Sequence, residues 1–160
     1  MKKSDWFYLW IAIPSYLSGP VMYAVTMYIL YKETDVVTEV LLGWTAATFA
    51  SVVVLFFLLA VILLRVLKIY FFWLQTLLYM VLSLIPVYMT TVLMGSRNSG
   101  LPELSFPLSP EGVPLLVFWE SIALMSSWGV WAAHKPSIKQ PFLLVSRVIL
   151  ILFILELWSH

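Results

Sequence analysis

The sequence predicts an all-α integral membrane protein, and two observations lead to this class. First, hydrophobic residues make up 62% of the 160 residues and charged residues only 11%, whereas soluble domains are about half apolar and a quarter charged. Second, the mean hydropathy is +0.99, and the apolar residues form segments of about the 20 residues that a helix needs to cross a bilayer. Too few polar residues remain to cover a soluble core, so we expect a bundle of transmembrane helices.

Five segments are long and apolar enough to form the spans of a single membrane domain. The first is too long and too aromatic for a cleaved signal peptide, so we expect it to be retained as a helix. The second and third are joined so closely that they form an antiparallel hairpin, and the fifth is at the lower limit for a span. The predicted spans are about residues 6–31, 37–66, 69–94, 113–133 and 142–158, with an outer loop at 95–112.

The basic residues predict the orientation, because Lys and Arg in short loops favour the cytoplasmic side. With five spans, six basic residues fall on one side, and the other side has only Lys32 and Arg97 among its acidic residues. A four-span arrangement would break this separation. We therefore predict five spans, with the N-terminus inside and the C-terminus outside. The six inner-side residues are Lys2, Lys3, Arg65, Lys68, Lys135 and Lys139.

Small residues at four-residue spacing predict where helices pack against one another. Lipid is as apolar as leucine, so helices in a membrane associate through close packing or polar contacts. Gly43, Ala47 and Ser51 recur in the second span, and Ala123 and Ser127 recur in the fourth. We interpret both sets as packing faces. The partner of each face is either another span of this chain or another subunit.

Glu120 lies inside the fourth span, where an ionisable residue is a functional candidate because its burial is costly. At 1.5 Å per residue it lies roughly 10 Å below the outer boundary, and Glu156 lies near the outer end of the fifth span. Two carboxylates in a low dielectric share a proton or bind a cation. We therefore predict an outer-side site of Glu120 and Glu156, with Thr45 and Ser127. The alternative is a solvated Glu156 and a Glu120 that is protonated or bonded to a neighbouring helix or subunit.

Arg147, in the fifth span, lies about 9 Å above the inner boundary. Its side chain leans towards the N-terminus of its helix and so away from Glu120. We expect Arg147 either to extend to the cytoplasmic surface or to hydrogen-bond Gln75 of the third span. The two residues are the predicted inner-side polar pair.

Several kinds of chemistry have no support in the sequence. The chain has no cysteine, which excludes Cys-ligated metals, and its two histidines, His134 and His160, lie at predicted membrane edges, which argues against a bis-His haem in the membrane. The cofactor is therefore unknown. No catalytic motif places a base beside a nucleophile at membrane depth, so we expect a non-enzyme. A net charge of +1 gives no support for a nucleic-acid partner.

Two functional hypotheses follow. The first is a scaffold or accessory subunit of a larger membrane complex, whose partners are the lipid bilayer and other membrane subunits or a second copy. The second is a stand-alone binder or carrier of a small apolar molecule, a proton or a cation at the site around Glu120. The spans are too uniformly apolar to favour an ion channel. We expect a bacterial or archaeal plasma membrane, because no organelle-targeting segment is visible.

Overall fold

A computed structural model describes the backbone of residues 3–95 and 105–158, and the side chains of 6–90, 92 and 105–158. The regular structure of these ranges is helical and contains no strand, as the predicted all-α class requires. A short 3₁₀ turn, Phe106–Leu108, precedes the fourth long helix. Part of the predicted outer loop 95–112 lies outside the described residues, as do Lys2, Arg97 and His160. The long helices are α1 (Lys3–Tyr31), α2 (Glu39–Val66), α3 (Phe72–Gly95), α4 (Val113–His134) and α5 (Pro136–Trp158).

Four of the described helices are long and apolar enough to cross a membrane, namely α2, residues Phe72–Thr90 of α3, α4 and α5. The chain is therefore a helical, membrane-embedded protein. The remaining predicted span, the first, is α1, which is 29 residues long but less apolar, because Pro, Ser, Tyr and Gly occupy most of residues 14–20. These residues face other helices: Ser15, Ser18 and the prolines at 14 and 20 are buried. Low hydropathy in α1 thus reflects contact with protein.

The fifth helix extends beyond the apolar segment that predicted it. It begins at Pro136 rather than at residue 142, since proline suits the first turn of a helix, where its missing N–H is not needed. The additional residues include the polar Ser137, Lys139 and Gln140, which an apolar-segment criterion excludes. The other predicted boundaries lie within three residues of the observed helices.

Helices α1 and α4 run antiparallel and approach each other closely at two glycines. A Cβ atom at Gly129 of α4 would lie 2.4 Å from Cγ2 of Ile11, and a Cβ at Gly19 of α1 would lie 2.9 Å from Cδ1 of Ile122. Both distances are shorter than a normal carbon–carbon contact of about 3.5–4.0 Å. Each glycine therefore makes room for an isoleucine of the other helix.

The central helix of the bundle is α4, which packs against α1, α3 and α5. In its most apolar 18-residue window 56% of the residues are buried, against 28% for α2 and 11% for α5. The main core joins α2, α3 and α4 and includes Phe57 stacked on Tyr79, with ring centroids 4.0 Å apart. A π turn at Phe49–Val53 holds more residues than an α turn, which helps core residues spaced by four to remain on one face of α2.

The chain reverses between α2 and α3 through a Schellman motif. Ile69 N–H donates to the carbonyl of Leu64 and Lys68 N–H donates to that of Arg65, both at 3.1 Å. Lys68 is in the left-handed region with φ 57°, and Lys32 after α1 has the same φ. This conformation usually belongs to glycine, so both lysines hold it against a steric penalty.

Apart from Glu120 and Arg147, the charged residues with described side chains lie at the two ends of the bundle. What we call the basic end carries Arg65, Lys68, Lys135 and Lys139 at the α2–α3 and α4–α5 connections. What we call the acidic end carries Lys32 and the acidic residues Glu33, Asp35, Glu39, Glu111 and Glu156.

Candidate functional site

Polar side chains occupy one face of α3 and the facing side of α4, at seven-residue spacing in both helices. Residues seven apart lie two turns apart on nearly the same face of a helix. The helices are antiparallel, so Thr76 meets Ser127, and Ser83 meets Glu120. We call this set, together with Gln75, the polar seam.

In the pair nearer the acidic end, Ser83 and Glu120, two acceptor oxygens lie within hydrogen-bond distance of the Ser83 hydroxyl, which carries only one hydrogen. The Oγ atom of Ser83 lies 2.6 Å from the carbonyl oxygen of Met80 and 2.7 Å from Oε1 of Glu120. A hydroxyl carries one hydrogen, and a carbonyl only accepts. With an ionised Glu120 the one hydrogen of Ser83 is shared between the two oxygens, whereas a protonated Glu120 donates a hydrogen of its own to Ser83. The second oxygen of Glu120, Oε2, is buried and has no partner.

Nearer the basic end, three side chains form a chain of hydrogen bonds in which each donates to the next: Gln75, Ser127 and Thr76. Gln75 Nε2 donates to Oγ of Ser127 at 3.1 Å, and Ser127 Oγ lies 2.8 Å from Oγ1 of Thr76. Thr76 donates to the carbonyl of Phe72 at 2.9 Å, so Ser127 donates to Thr76. The side chain of Gln75 is fully buried, and its Oε1 has no partner. The cluster therefore holds one unused acceptor.

His134 continues the same face of α4, seven residues beyond Ser127. Its Nε2 lies 2.8 Å from Nη2 of Arg65, and its Nδ1 lies 2.8 Å from the carbonyl of Val130. A neutral imidazole that donates from Nδ1 accepts the Arg65 hydrogen at Nε2. The Arg65 guanidinium also lies 5.3 Å from the ring centroid of Tyr70, whose hydroxyl is buried. This contact joins the two basic connections at one end of the seam.

The structure does not bring together all residues of the predicted outer-side site. Glu120 contacts Ser83 of α3, whereas Glu156 lines a cavity of about 460 Å³ between α1 and α5, with Glu33 and Asp35. Thr45 of α2 is buried elsewhere: it donates to the Leu41 carbonyl at 2.7 Å and lies 3.0 Å from the hydroxyl of Tyr16. Of the four predicted residues, only Glu120 and Ser127 share a face.

The predicted inner-side pair is not in contact either. Gln75 uses its amide nitrogen on Ser127, and its oxygen accepts no hydrogen bond. Arg147 is exposed on the outer surface of α5, beside Gln140 and Leu144. The two residues lie at different places in the bundle because α5 packs on α1 and α4, whereas Gln75 faces α4 from the α3 side.

The predicted packing residues have two different environments. Ala123 and Ser127 are fully buried, with Ser127 bonded to α3, so the α4 face packs within the chain. Gly43, Ala47 and Ser51 are exposed on α2, and nothing lies within 4 Å of the position that a Cβ of Gly43 would occupy. The α2 face is therefore free of intrachain contact at Gly43.

Sequence reasoning missed Thr76 and Ser83 as seam residues. The sequence did carry a signal for them. Hydroxyl residues occur every seven residues in the third span, at 76, 83 and 90, and Glu120 and Ser127 are also seven residues apart in the fourth span. Among the residues with described side chains, no group of three or more His, Asp or Glu could hold a metal ion. The site thus offers hydroxyls, an amide and one carboxyl group.

Comparisons with protein-family models, curated protein sequences and solved structures gave no match to this chain.

Proposed function

We propose that this chain is a non-catalytic multi-pass membrane protein that acts as a scaffold or accessory subunit of a larger membrane complex. The observation that carries the proposal is the exposed α2 face of Gly43, Ala47 and Ser51. Small residues at this spacing allow two helix backbones to approach closely in a membrane. On the fourth span the same spacing is used for packing inside the chain, so an unused copy on α2 favours a partner outside it.

The outer helices support the same proposal. Large apolar side chains cover the exposed surface of α2 and α5, such as Leu58 at 57% and Leu144 at 66% exposed. Lipid alone would satisfy these, but Arg147 on α5 is also exposed. A charged side chain within a span is costly unless it reaches an interface or a partner, so α5 offers a second surface for another subunit.

We further propose five spans, with the basic end in the cytoplasm of a bacterial or archaeal plasma membrane. Helix α1 lies antiparallel to α4, with Ile11 beside Gly129 at one end and the Tyr31 hydroxyl donating to the Pro110 carbonyl at the other. It therefore covers the same depth as a candidate span. Placing the basic end inside follows the usual distribution of Lys and Arg, which puts the N-terminus inside and the C-terminus outside.

The mass of the native particle tests the subunit role. We expect the protein, extracted in mild detergent from its own membrane, to give a discrete particle containing other chains in native mass spectrometry. Ala47→Leu should release it from that particle by filling the close-packing face. Val81→Phe, at a 55% exposed position of α3, is the control and should leave the particle intact. A lone monomer or homo-oligomer would refute the accessory-subunit proposal.

A stand-alone binder or carrier that uses Glu120 is the second candidate function. It is favoured by one observation, the buried and unpartnered Oε2 of Glu120. Buried polar atoms are normally hydrogen-bonded, and exceptions often mark a functional group. Glu120→Gln would then impair transport or binding without changing the composition of the particle.

A further inference from the structure

We propose that the basic end of the bundle binds the phosphate group of an anionic phospholipid, between the α2–α3 and α4–α5 connections. Arg65 and Lys135 hold the phosphate, and His134 positions Arg65. The site is independent of the subunit role, because lipid surrounds the chain whether or not other subunits bind. Three features of this end support it: cations without acidic partners, aromatic rings that join the two connections, and an apolar surface beside them.

The basic end carries positive charge that no described carboxylate neutralises. The acidic residues with described side chains lie at the acidic end or, for Glu120, within α4. In the sequence, Asp5 is the one carboxylate near the basic connections, and its side chain lies outside the described ones. Basic residues at a membrane surface attract anionic headgroups. The exposed cations of this end are Arg65, Lys68, Lys135 and Lys139.

The side chain of Arg65 is held in place while most of its donors remain free. Its Nη2 lies 2.8 Å from Nε2 of His134, and its guanidinium carbon lies 5.3 Å from the ring centroid of Tyr70. A guanidinium has five N–H donors in a planar fork, and His134 accepts one of them. Neither neighbour carries a negative charge. The remaining donors match two oxygens of a phosphate group, which arginine binds in a bidentate manner.

Lys135 supplies a second cation from the neighbouring connection. Its Nζ lies 5.4 Å from the ring centroid of Trp131, and this ring lies 5.9 Å from that of Tyr70. The ring of Tyr70 also lies 6.4 Å from that of His134. The two cations therefore lie on one cluster of aromatic rings, to which both connections contribute. This arrangement suits a single anion that accepts from both cations, as a phosphodiester does.

The surface beside this cluster is apolar, which favours a lipid over a free phosphate. Trp73 is 76% exposed, and Val66 and Phe71 are exposed as well. Tryptophan rings favour the depth of the lipid headgroups, so Trp73 and Trp131 indicate that Arg65 lies near this depth. A free phosphate would leave the apolar side chains uncovered. A phospholipid covers them with its acyl chains while its phosphate contacts Arg65.

Lipid titration of the purified full chain in detergent, with any subunits that co-purify, tests the site. The probe is dioleoyl phosphatidylglycerol, and native mass spectrometry measures its dissociation constant. Dioleoyl phosphatidylcholine tests the need for negative charge, and glycerol phosphate tests the need for acyl chains. Arg65→Gln and Lys135→Gln each remove one phosphate contact. Lys32→Gln is the matched control, because Lys32 is exposed and lies 5.2 Å from the ring centroid of Tyr28, but at the acidic end.

We expect phosphatidylglycerol to bind the native chain and Lys32→Gln equally well. It should bind Arg65→Gln or Lys135→Gln about fivefold more weakly or less, as the loss of one basic contact at an anionic surface implies. Phosphatidylcholine and glycerol phosphate should both bind more weakly than phosphatidylglycerol.

Three results would overturn the site. Equal binding of the two lipids would show that charge plays no part, and glycerol phosphate binding as tightly as the lipid would identify a site for a soluble anion. An affinity that Arg65→Gln and Lys135→Gln leave unchanged, or that Lys32→Gln lowers equally, would exclude the basic end. Loss of a co-purifying subunit from Arg65→Gln together with unchanged lipid binding would instead assign this end to a protein partner. Two variants keep the test valid if one of them does not fold.

Discussion

The close approach of α1 and α4 predicts a difference between two chemically identical substitutions, Gly129→Ala and Gly43→Ala. At Gly129 the new Cβ would lie 2.4 Å from Cγ2 of Ile11, whereas at Gly43 it would meet nothing within 4 Å. Ile11 is 5% exposed, and its β-branched side chain has little rotamer freedom in a helix. The helices must therefore separate to accept the methyl group at Gly129.

The magnitude follows from two terms. Replacing glycine by alanine inside a helix contributes about 1 kcal/mol of helix propensity at both sites. Overpacking at Gly129 costs about 1–3 kcal/mol, and Gly43 has no such cost. Gly43→Ala should therefore stabilise the isolated chain by about 1 kcal/mol. Gly129→Ala should be about 1–3 kcal/mol less stable than Gly43→Ala, because the propensity term cancels in the comparison.

Equilibrium unfolding of the isolated chain in mixed micelles, followed by circular dichroism during SDS titration, measures this difference. Ile11→Ala removes the clashing atom, so in the double variant with Gly129→Ala the two effects should be non-additive by about 1 kcal/mol or more. If Gly129→Ala and Gly43→Ala change the free energy of unfolding equally, helices α1 and α4 do not approach as closely as described.

Three further predictions concern the hairpin, the core and the basic end. Lys68→Gly should raise the free energy of unfolding by up to about 1 kcal/mol, because the left-handed conformation then carries no steric penalty; Lys68→Ala retains the penalty and should show no such gain in the same SDS titration. Substituting Phe57 and Tyr79 by leucine, singly and together, should give a coupling energy of about 0.5–1.5 kcal/mol for the stacked rings, and additive effects would argue against the stack. Arg65→Gln should cost less than about 1 kcal/mol in thermal or SDS unfolding because its contact with His134 is exposed, and a larger loss would mean that this contact is buried by a partner.

The membrane class and helix bounds were predictable because they depend on composition along the chain. An apolar segment of sufficient length favours a helix wherever it packs. The start of α5 was missed because the first turns contain Ser137, Lys139 and Gln140, which form helix without being apolar. The low hydropathy of α1 has a different cause. Its small and polar residues face α4 and α2, and this contact is known only once the neighbouring helices are placed.

The site was predictable in part. The sequence singled out Glu120 and Ser127 as polar groups within a span, and the structure describes contacts for both. Depth along a helix axis can be counted from the sequence, and this led to the pairing of Glu120 with Glu156. The direction in which a side chain leaves the axis relative to its neighbours also decides which groups meet. That direction depends on which helices are neighbours. Glu120 contacts Ser83 because α4 packs against α3, and Arg147 lies apart from Gln75 because α5 packs on α1 and α4.

The arrangement of α1 around α4 has a consequence for biosynthesis. Ile11 and Gly129 are separated by more than 100 residues of chain, so α1 reaches the membrane long before its main neighbour has been synthesised. Until α4 inserts, the prolines, serines and glycine of α1 face lipid or the insertion machinery. Contacts of such long sequence separation form late. The least apolar helix, α1, therefore remains without its main packing partner until α4 has been inserted. Truncation of the nascent chain before residue 113 should therefore leave α1 accessible to quality-control proteases.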